Sequence, residues 1–548
     1  MAVQVQGSVS SPMDRPLANY PPDIWGDRFL TLSFDISELE SCSRQVEVLK
    51  ETVKDMLMAS TTDPIRNIFL IYSLCRLGVS YHFETEVEQQ LAHRFDTLSQ
   101  LIHNNNYDLH TIADMFQVFR FHGYNMSSRS LWLFWILSHR ILKKYILPFK
   151  HIIICRCVWH TLSGEHILYF HNITFESNPH YAQYIENALY RPYHRGVPRL
   201  EARQYICFYE KNEGSNDTLL KFAKYDFNRI QMILQQELSN LRSEWKEENM
   251  ESRFPYARHR IVESFFSATV FYFEPCYARA RNIYAKLLST LAFIDDTYDA
   301  YGTYEELQHF TDAMQRFDIS VIDELPTDYL KLLYETTLNV HNEIEDKVGK
   351  EGRSYAVSYT KNELKEVALA YLVERRWVHG CYMPTFDEYL ETALKTCVAI
   401  LSVCQALIGM EEADETAYQW LINTDNKLHK ALNIIARLYD DISTNEAEEK
   451  RGLVCGTSCY MKQYGITRQE AVEAYREIVA WKQMIEVAWK DMNEGCLKPM
   501  PVSNKVALRP FNFARLVLVA YMKDDGFTRP ELSMKDVIAK VLIHPIPL

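Results

Sequence analysis

Two carboxylates four residues apart follow an apolar stretch in the second half of the chain. They are Asp295 and Asp299, in the run Leu291-Ala-Phe-Ile-Asp-Asp-Thr-Tyr-Asp. Residues four apart share one face of an α-helix, so this pair would lie at the mouth of an apolar cavity. Mg²⁺ binds few protein oxygens and completes its coordination with water and substrate phosphates. The pattern therefore predicts a site for a metal-bound diphosphate, although this motif alone has low specificity.

A second polar stripe continues another apolar segment. Asp440, Thr444 and Glu448 step by four residues, and each step turns the position by only about 40° on an α-helix. Three oxygen ligands would therefore line one side of the helix. A solvated helix face is the ordinary explanation for such a stripe, but the carboxylate pair elsewhere favours two metal sites. Two stripes that face each other across a helical bundle would hold a diphosphate.

Arginines accompany both stripes. Arg258 and Arg260 stand before the first stripe, and Arg437 lies one turn before Asp440. A guanidinium group recognises phosphate through a planar fork of donors, and its fixed charge stabilises a leaving diphosphate. An isolated arginine pair is usually a surface feature, but next to two metal stripes these arginines are candidate diphosphate ligands.

The elements that position these residues are predicted to be helices. Apolar residues recur every three or four positions over 36–58, and only 17 Gly and 19 Pro interrupt 548 residues. Residues 76–91 are typical of a loop that enters an amphipathic helix. The polar stretch Glu210–Asn216 is the natural linker. The sequence therefore predicts an all-α protein with two helical domains, at 1–215 and 216–548.

The bulk composition disfavours several classes of protein. The 59 basic and 72 acidic side chains give a formal net charge of −13, whereas a nucleic-acid-binding protein needs a basic surface. No stretch reaches the roughly 18 consecutive apolar residues of a membrane span. The N-terminal residues lack a secretory or transit signal, and the 12 cysteines include no CxxC pair. We therefore expect a cytoplasmic protein with reduced core cysteines, no membrane span and no nucleic-acid partner.

Several motifs resemble those of plant terpene synthases of the angiosperm sesquiterpene type, over nearly the full length of the chain. The pairing of the two metal stripes carries this resemblance most specifically. The other matching stretches are Arg15-Pro16 followed after eight residues by Trp25, Arg76–Phe83, Arg199–Arg203, Phe254–Arg258, Tyr272–Pro275, Asp295–Thr303 and Arg451-Gly452.

The resemblance implies a fold and an activity. The expected fold is an N-terminal α-barrel-like domain without catalytic function and a C-terminal class I terpenoid synthase bundle. The expected enzyme is a monomer that ionises farnesyl diphosphate with Mg²⁺, or with Mn²⁺ as a substitute, and cyclises the carbocation to a sesquiterpene or sesquiterpene alcohol. The DxDD signature of protonation-initiated cyclases is absent from the sequence, so the reaction is expected to begin with loss of diphosphate.

The resemblance also assigns roles to individual residues. The implied metal ligands are Asp295, Asp299, Asp440, Thr444 and Glu448. The implied substrate-binding residues are Arg258, Asp295, Arg437 and Asp440, and the implied catalytic residues are Arg258, Arg260, Tyr521 and Asp525.

The chain departs from the family pattern at several places. His259 stands where Asp is usual, and Ser267 stands where members commonly carry Trp. Residues 128–175 largely lack the expected acidic, helix-forming pattern, as a pair of compensating frame shifts would produce. Three alternatives therefore remain open: a decayed synthase acting only as a helical interaction protein, a synthase that uses geranyl diphosphate, and a prenyl-chain-elongating synthase, which would carry two DDxxD motifs.

Overall fold

A computed structural model describes residues 18–31, 35–103, 107, 109–126, 191–212, 214–467 and 479–548. Every regular element in these ranges is a helix, which confirms the prediction of an all-α protein. Arg15, Pro16 and the atypical segment 128–175 lie outside the described residues.

The described α-helices are numbered here in chain order. They are α1 (Ile36–Ala59), α2 (Pro64–Arg76), α3 (Glu84–His103), α4 (Leu109–Phe121), α5 (Pro198–Glu210), α6 (Asp217–Glu247), α7 (Met250–Arg253), α8 (Ile261–Phe271), α9 (Ala278–Ala300), α10 (Tyr304–Arg316), α11 (Asp328–Gly349), α12 (Ser354–His379), α13 (Phe386–Thr396), α14 (Ala399–Ile408), α15 (Glu415–Ile422), α16 (Lys427–Lys450), α17 (Gly456–Tyr464), α18 (Val479–Gly495), α19 (Asn504–Tyr521) and α20 (Met534–Leu542). Short 3₁₀ helices span Ser60–Thr62, Ser80–Phe83, Tyr193–Arg195, Pro275–Tyr277 and Ile319–Glu324.

The local predictions agree with this order. The periodic stretch 36–58 is α1, and α2 ends at Arg76 before the loop that leads into α3. The predicted linker separates α5 from α6. Asp35 caps α1 by accepting hydrogen bonds from the backbone N–H groups of Ser37 and Glu38, which satisfies donors that a helix start leaves unpaired.

Buried apolar residues form two clusters. The first cluster contains residues of α1 to α6 up to Phe227 together with Ile546, and the second includes Val197, Leu200, Ile230 and most of the later helices. Within α6 the change between clusters comes two turns or more after the predicted boundary at 215/216, which stays a prediction. Trp25 belongs to the second cluster although it lies near the start of the chain.

Two helices carry the predicted metal stripes. The first stripe is on α9, which packs against α8, α12 and α14; the second is on α16, which packs against α14, α18 and α19. Helix α14 therefore contacts both stripe-bearing helices, and its ten residues are all buried. A buried helix between them holds the two stripes on opposite sides of one space.

The stretch Phe386–Ile408 is the one part of the described chain that is long and apolar enough to cross a membrane, and 67% of its most apolar window is buried within the protein. It is two helices, α13 and α14, separated at Val398 by a left-handed φ of 51°. Such a buried pair is typical of the core of a helical protein.

The cysteines differ in part from the expectation. None of the ten cysteines in the described ranges forms a disulfide, but Cys207, Cys276 and Cys381 are exposed. The prediction that the thiols are core residues was therefore wrong for these three, because sequence spacing does not tell which face of a helix or loop meets solvent.

Candidate active site

One cavity of about 780 Å³ collects nine of the ten predicted site residues. Both stripes line it, as do the two arginines that were predicted to bind substrate. Tyr521, the last residue of α19, and Asp525 in the following loop also line it. The nine are Arg258, Asp295, Asp299, Arg437, Asp440, Thr444, Glu448, Tyr521 and Asp525. Residues 267 positions apart in the chain therefore contribute to a single site.

The first stripe is held by Arg258. Its guanidinium pairs with Asp295 and, through Nε, with Oδ1 of Asp296 at 2.7 Å. The backbone N–H of Arg258 also donates to Asp296 at 2.6 Å. Because Asp296 is fully buried while the side chain of Asp295 is 26% exposed, Asp296 anchors the arginine and Asp295 faces the cavity.

The second stripe repeats this arrangement. Arg437 pairs with Asp440 and, through Nε, with Oδ1 of the buried Asp441 at 2.6 Å. The Tyr389 hydroxyl donates to the same oxygen at 2.9 Å. The Thr444 hydroxyl has two acceptors within hydrogen-bond distance, the backbone carbonyl of Asp440 at 3.0 Å and the Glu448 carboxylate at 3.1 Å. Each stripe thus has one buried aspartate that holds an arginine and one aspartate that faces the cavity.

The carboxylates of the two stripes raise each other's pKa values. Burial raises the pKa of Asp299, and the charges of Asp295 and Glu448 raise it further. Burial also raises the pKa of Asp440, with further contributions from Glu448, Asp525 and Asp295. The negative charge of each stripe therefore acts on the other across the cavity that both line.

This donor set fits a divalent cation bound together with a phosphate. All the predicted ligands are carboxylate or hydroxyl oxygens, which Mg²⁺ prefers, and bound cations relieve the repulsion that raises the pKa values of buried carboxyls. Among the described residues, no group of three or more His, Cys, Asp or Glu side chains could hold a metal ion by itself. The residues present would therefore share the cation with substrate oxygens.

Arg260 is the predicted residue that does not line the cavity. Its side chain is 1% exposed, and its donors all go to backbone carbonyls: Phe527 at 3.0 Å, Thr528 at 2.8 Å and Pro21 at 2.9 Å. Arg260 therefore ties the segment before Trp25 to the loop after α19, and its catalytic role stays a prediction. His259, whose ring nitrogen contacts the Phe254 carbonyl at 2.9 Å, also lies outside the cavity lining.

Several lining residues were not found by sequence reasoning. Tyr20 lies beneath the Arg258 guanidinium, 4.9 Å from the ring centroid. Glu374 of α12 adds a carboxylate from a third helix; burial and the charge of Asp299 raise its pKa to about 8. Arg451 belongs to one of the matching family motifs, but no role was assigned to it from the sequence. No sequence feature identifies Tyr20 or Glu374, because neither stands in a spacing pattern with the other site residues.

The rest of the cavity is mainly apolar. Ser267, the position where Trp was expected, lines it and donates its hydroxyl hydrogen to the Glu263 carbonyl at 2.8 Å. The apolar and aromatic walls come from several helices and include Leu288, Leu291, Ala292, Val398, Phe513, Leu516 and Val517. Such walls exclude water from a reactive cation.

The sequence matches two family descriptions. Residues 246–491 match "Terpene synthase family, metal binding domain" and residues 24–142 match "Terpene synthase, N-terminal domain". A probable terpene synthase of Ricinus communis is 41% identical and aligns over 97% of this chain and 99% of its own. A valerianol synthase of Camellia sinensis and a hedycaryol synthase of Camellia brevistyla are each 40% identical, with 97% of both chains covered.

Solved structures agree with these matches. A limonene synthase with 2-fluorolinalyl diphosphate has a TM-score of 0.82 at 25% identity and covers 97% of this chain and 100% of its own. An isoprene synthase of grey poplar in complex with three Mg²⁺ ions and dimethylallyl-S-thiolodiphosphate has a TM-score of 0.77 at 26% identity. It covers 93% of this chain and 98% of its own. With its two metal stripes around one cavity, the chain belongs to the terpene synthase family.

Proposed function

We propose that this terpene synthase binds farnesyl diphosphate with Mg²⁺, ionises it and cyclises the resulting cation to a sesquiterpene or a sesquiterpene alcohol. The observation that carries the proposal is one cavity, with an Arg–Asp–Asp group on each of two sides and apolar walls beyond them. The relatives that are sesquiterpene synthases support the fifteen-carbon substrate.

The chain's own residues have distinct tasks in this reaction. Arg258 and Arg437 present guanidinium donors to the diphosphate, and the buried aspartates behind them keep both groups oriented. Because a positioned charge needs no reorganisation as the leaving group departs, it stabilises the transition state more than the ground state. Bound Mg²⁺ would supply further positive charge to the diphosphate oxygens, held by Asp295, Asp299, Asp440, Thr444 and Glu448.

The cavity also fits the hydrocarbon part of the substrate. Its volume of about 780 Å³ lies within the range of roughly 300–1,000 Å³ for small-molecule sites. Aromatic faces such as those of Phe513 and Tyr371, which line the cavity, stabilise a nearby cation by about 0.5–2 kcal/mol. The allyl cation therefore meets π-surfaces and few nucleophiles.

The test is incubation of the purified chain with farnesyl diphosphate and Mg²⁺, with analysis of volatile products and released diphosphate. Parallel reactions contain geranyl diphosphate, and Mn²⁺ replaces Mg²⁺ in a further set. Conversion of farnesyl diphosphate with a higher kcat/KM than geranyl diphosphate is expected. If only geranyl diphosphate is turned over with metal, geranyl diphosphate is the substrate and the proposal is wrong. If neither diphosphate is turned over, the result favours the alternative that the chain is a decayed synthase.

We further propose that the enzyme is monomeric and cytoplasmic, with Mn²⁺ able to replace Mg²⁺. The absence of disulfides among the ten described cysteines supports a reducing compartment. Light scattering tests the monomer, and a fluorescent fusion in plant cells tests the location.

A further inference from the structure

Side chains from α5 and α6 bind the end of α20 and the tail that follows it, residues 543–548. The Asn228 side chain forms two hydrogen bonds with the backbone of Ile546: its Nδ2 donates to the carbonyl, and its Oδ1 accepts from the N–H, both at 2.8 Å. Gln231 Nε2 donates to the Val541 carbonyl at 2.8 Å, and Gln235 Nε2 to the Leu542 carbonyl at 2.7 Å.

Other contacts complete this interaction. Arg203 of α5 donates to the Lys540 carbonyl at 3.0 Å and to the His544 carbonyl. The side chain of Ile546 is 3% exposed and belongs to the first apolar cluster, together with residues of α1 to α6. Ile546, in the tail that follows α20, is therefore buried in the first cluster, whereas the helix itself packs in the second cluster.

These contacts matter because α20 has little stability of its own. It contains nine residues, and isolated helices of fewer than about 12 residues are marginal in water. The last carbonyls of a helix have no partner within it, and here residues from outside the helix satisfy several of them. The side chains of α5 and α6 thus hold α20 in place.

Helix α20 begins directly after the loop of residues 522–533, which connects it to α19 and contributes to the active-site cavity. In this loop the Thr528 hydroxyl accepts a hydrogen bond from Arg258 at 2.8 Å, and Asp525 lines the cavity. Met534, the first residue of α20, lines the same cavity and is fully buried. The loop is therefore held at one side by α19, at the other by α20, and between them by the hydrogen bonds of Arg260 to the Phe527 and Thr528 carbonyls.

We propose that Asn228, Gln231 and Arg203 are positioning residues for the reaction: by binding the end of α20 and the tail that follows it, they hold loop 522–533 closed over the diphosphate site. The N-terminal part of the chain then contributes to catalysis without touching substrate. The kinetic part of this inference rests on the proposed function, but closure of the loop can be measured without turnover.

The first experiment is limited trypsin digestion of the full chain, followed by mass spectrometry of cleavage after Lys523, an exposed residue of the loop. The variant is Asn228→Ala, and the matched control is Asn240→Ala, an exposed asparagine of the same helix. We expect cleavage in the loop to accelerate about tenfold in Asn228→Ala. This factor corresponds to a loss of about 1.4 kcal/mol in the free energy that favours the closed loop. Cleavage after the exposed Lys347 should stay unchanged.

The second experiment measures steady-state kinetics with farnesyl diphosphate and Mg²⁺. Asn228→Ala should raise KM at least threefold while kcat falls less, because the loop must close before ionisation. Arg203→Ala, a partly exposed site, should give a smaller effect of the same kind and serves if Asn228→Ala does not fold. The inference would be overturned if the rate of loop cleavage and the KM of Asn228→Ala both lay within twofold of those of Asn240→Ala. It would also be overturned if cleavage after Lys347 accelerated as much as cleavage in the loop. If the parent enzyme has no turnover, the proposed function fails and trypsin alone decides the role of these side chains.

Discussion

The buried pair Trp25–Glu263 leads to a prediction about pH and stability. The Trp25 indole N–H donates to Glu263 Oε1 at 2.7 Å, and Oε2 has no hydrogen-bond partner. Burial raises the pKa of Glu263 from 4.5 to about 7; the hydrogen bond and the charge of Arg260 oppose this rise, and Asp23 adds to it. The perturbation is Trp25→Phe, which removes the donor and keeps most of the ring.

The sign of the effect follows from linkage. Because the folded-state pKa of Glu263 lies above its unfolded value, its contribution to stability is greatest below pH 4.5 and is lost as the pH rises to about 7. Trp25→Phe raises the folded pKa further, so the loss continues to higher pH. A hydrogen bond contributes about 0.5–1.5 kcal/mol to a neutral group and about 1.5–3 kcal/mol to a charged one. The variant should therefore lose roughly 1 kcal/mol more at pH 9 than at pH 5.5.

The assay is thermal unfolding of the parent protein and the variant at both pH values. An additional fall in Tm of about 1 °C at pH 9 is expected for a chain of 548 residues. The control is Trp245→Phe, since Trp245 is also buried but its indole N–H has no hydrogen-bond partner. Its destabilisation should be the same at both pH values. Equal losses for Trp25→Phe at pH 5.5 and pH 9, or a matching pH dependence in the control, would refute the reasoning.

Further predictions concern the reaction itself. Asp295→Ala and Glu448→Ala should each lower kcat/KM for farnesyl diphosphate by about 10²-fold or more, while Glu446→Ala, an exposed change on the same helix, should not; near-normal rates in the first two would contradict the two-stripe site. Arg437→Lys should lower kcat/KM about tenfold, because an ammonium group cannot pair with two carboxylates through a planar fork; a rate equal to that of the parent would show that only charge matters. Ser267→Trp should change the product mixture seen by gas chromatography, because it fills part of the cavity with an aromatic ring; an unchanged mixture and rate would place the side chain outside the reacting volume.

The sequence alone determined the features that depend on local periodicity. The four-residue steps of Asp440, Thr444 and Glu448 place these side chains on one face in any helix, so the stripe could be predicted before its surroundings were known. The same holds for α1 and for the linker before α6, since apolar spacing and polar composition act over a few residues. The matched family motifs then identified the stripes as parts of one site.

Only the tertiary structure decided which residues meet across long separations. Arg258 and Arg260 are two positions apart, yet one enters the cavity and the other ties Pro21 to the loop after α19. Glu374 joins the site because α12 packs against α9, and no spacing in the sequence signals that contact. The hydrogen bonds of Asn228 with Ile546, in the tail after α20, join residues 318 positions apart in the chain. Helical periodicity specifies a face, but the partner of that face is chosen by the packing of the whole bundle.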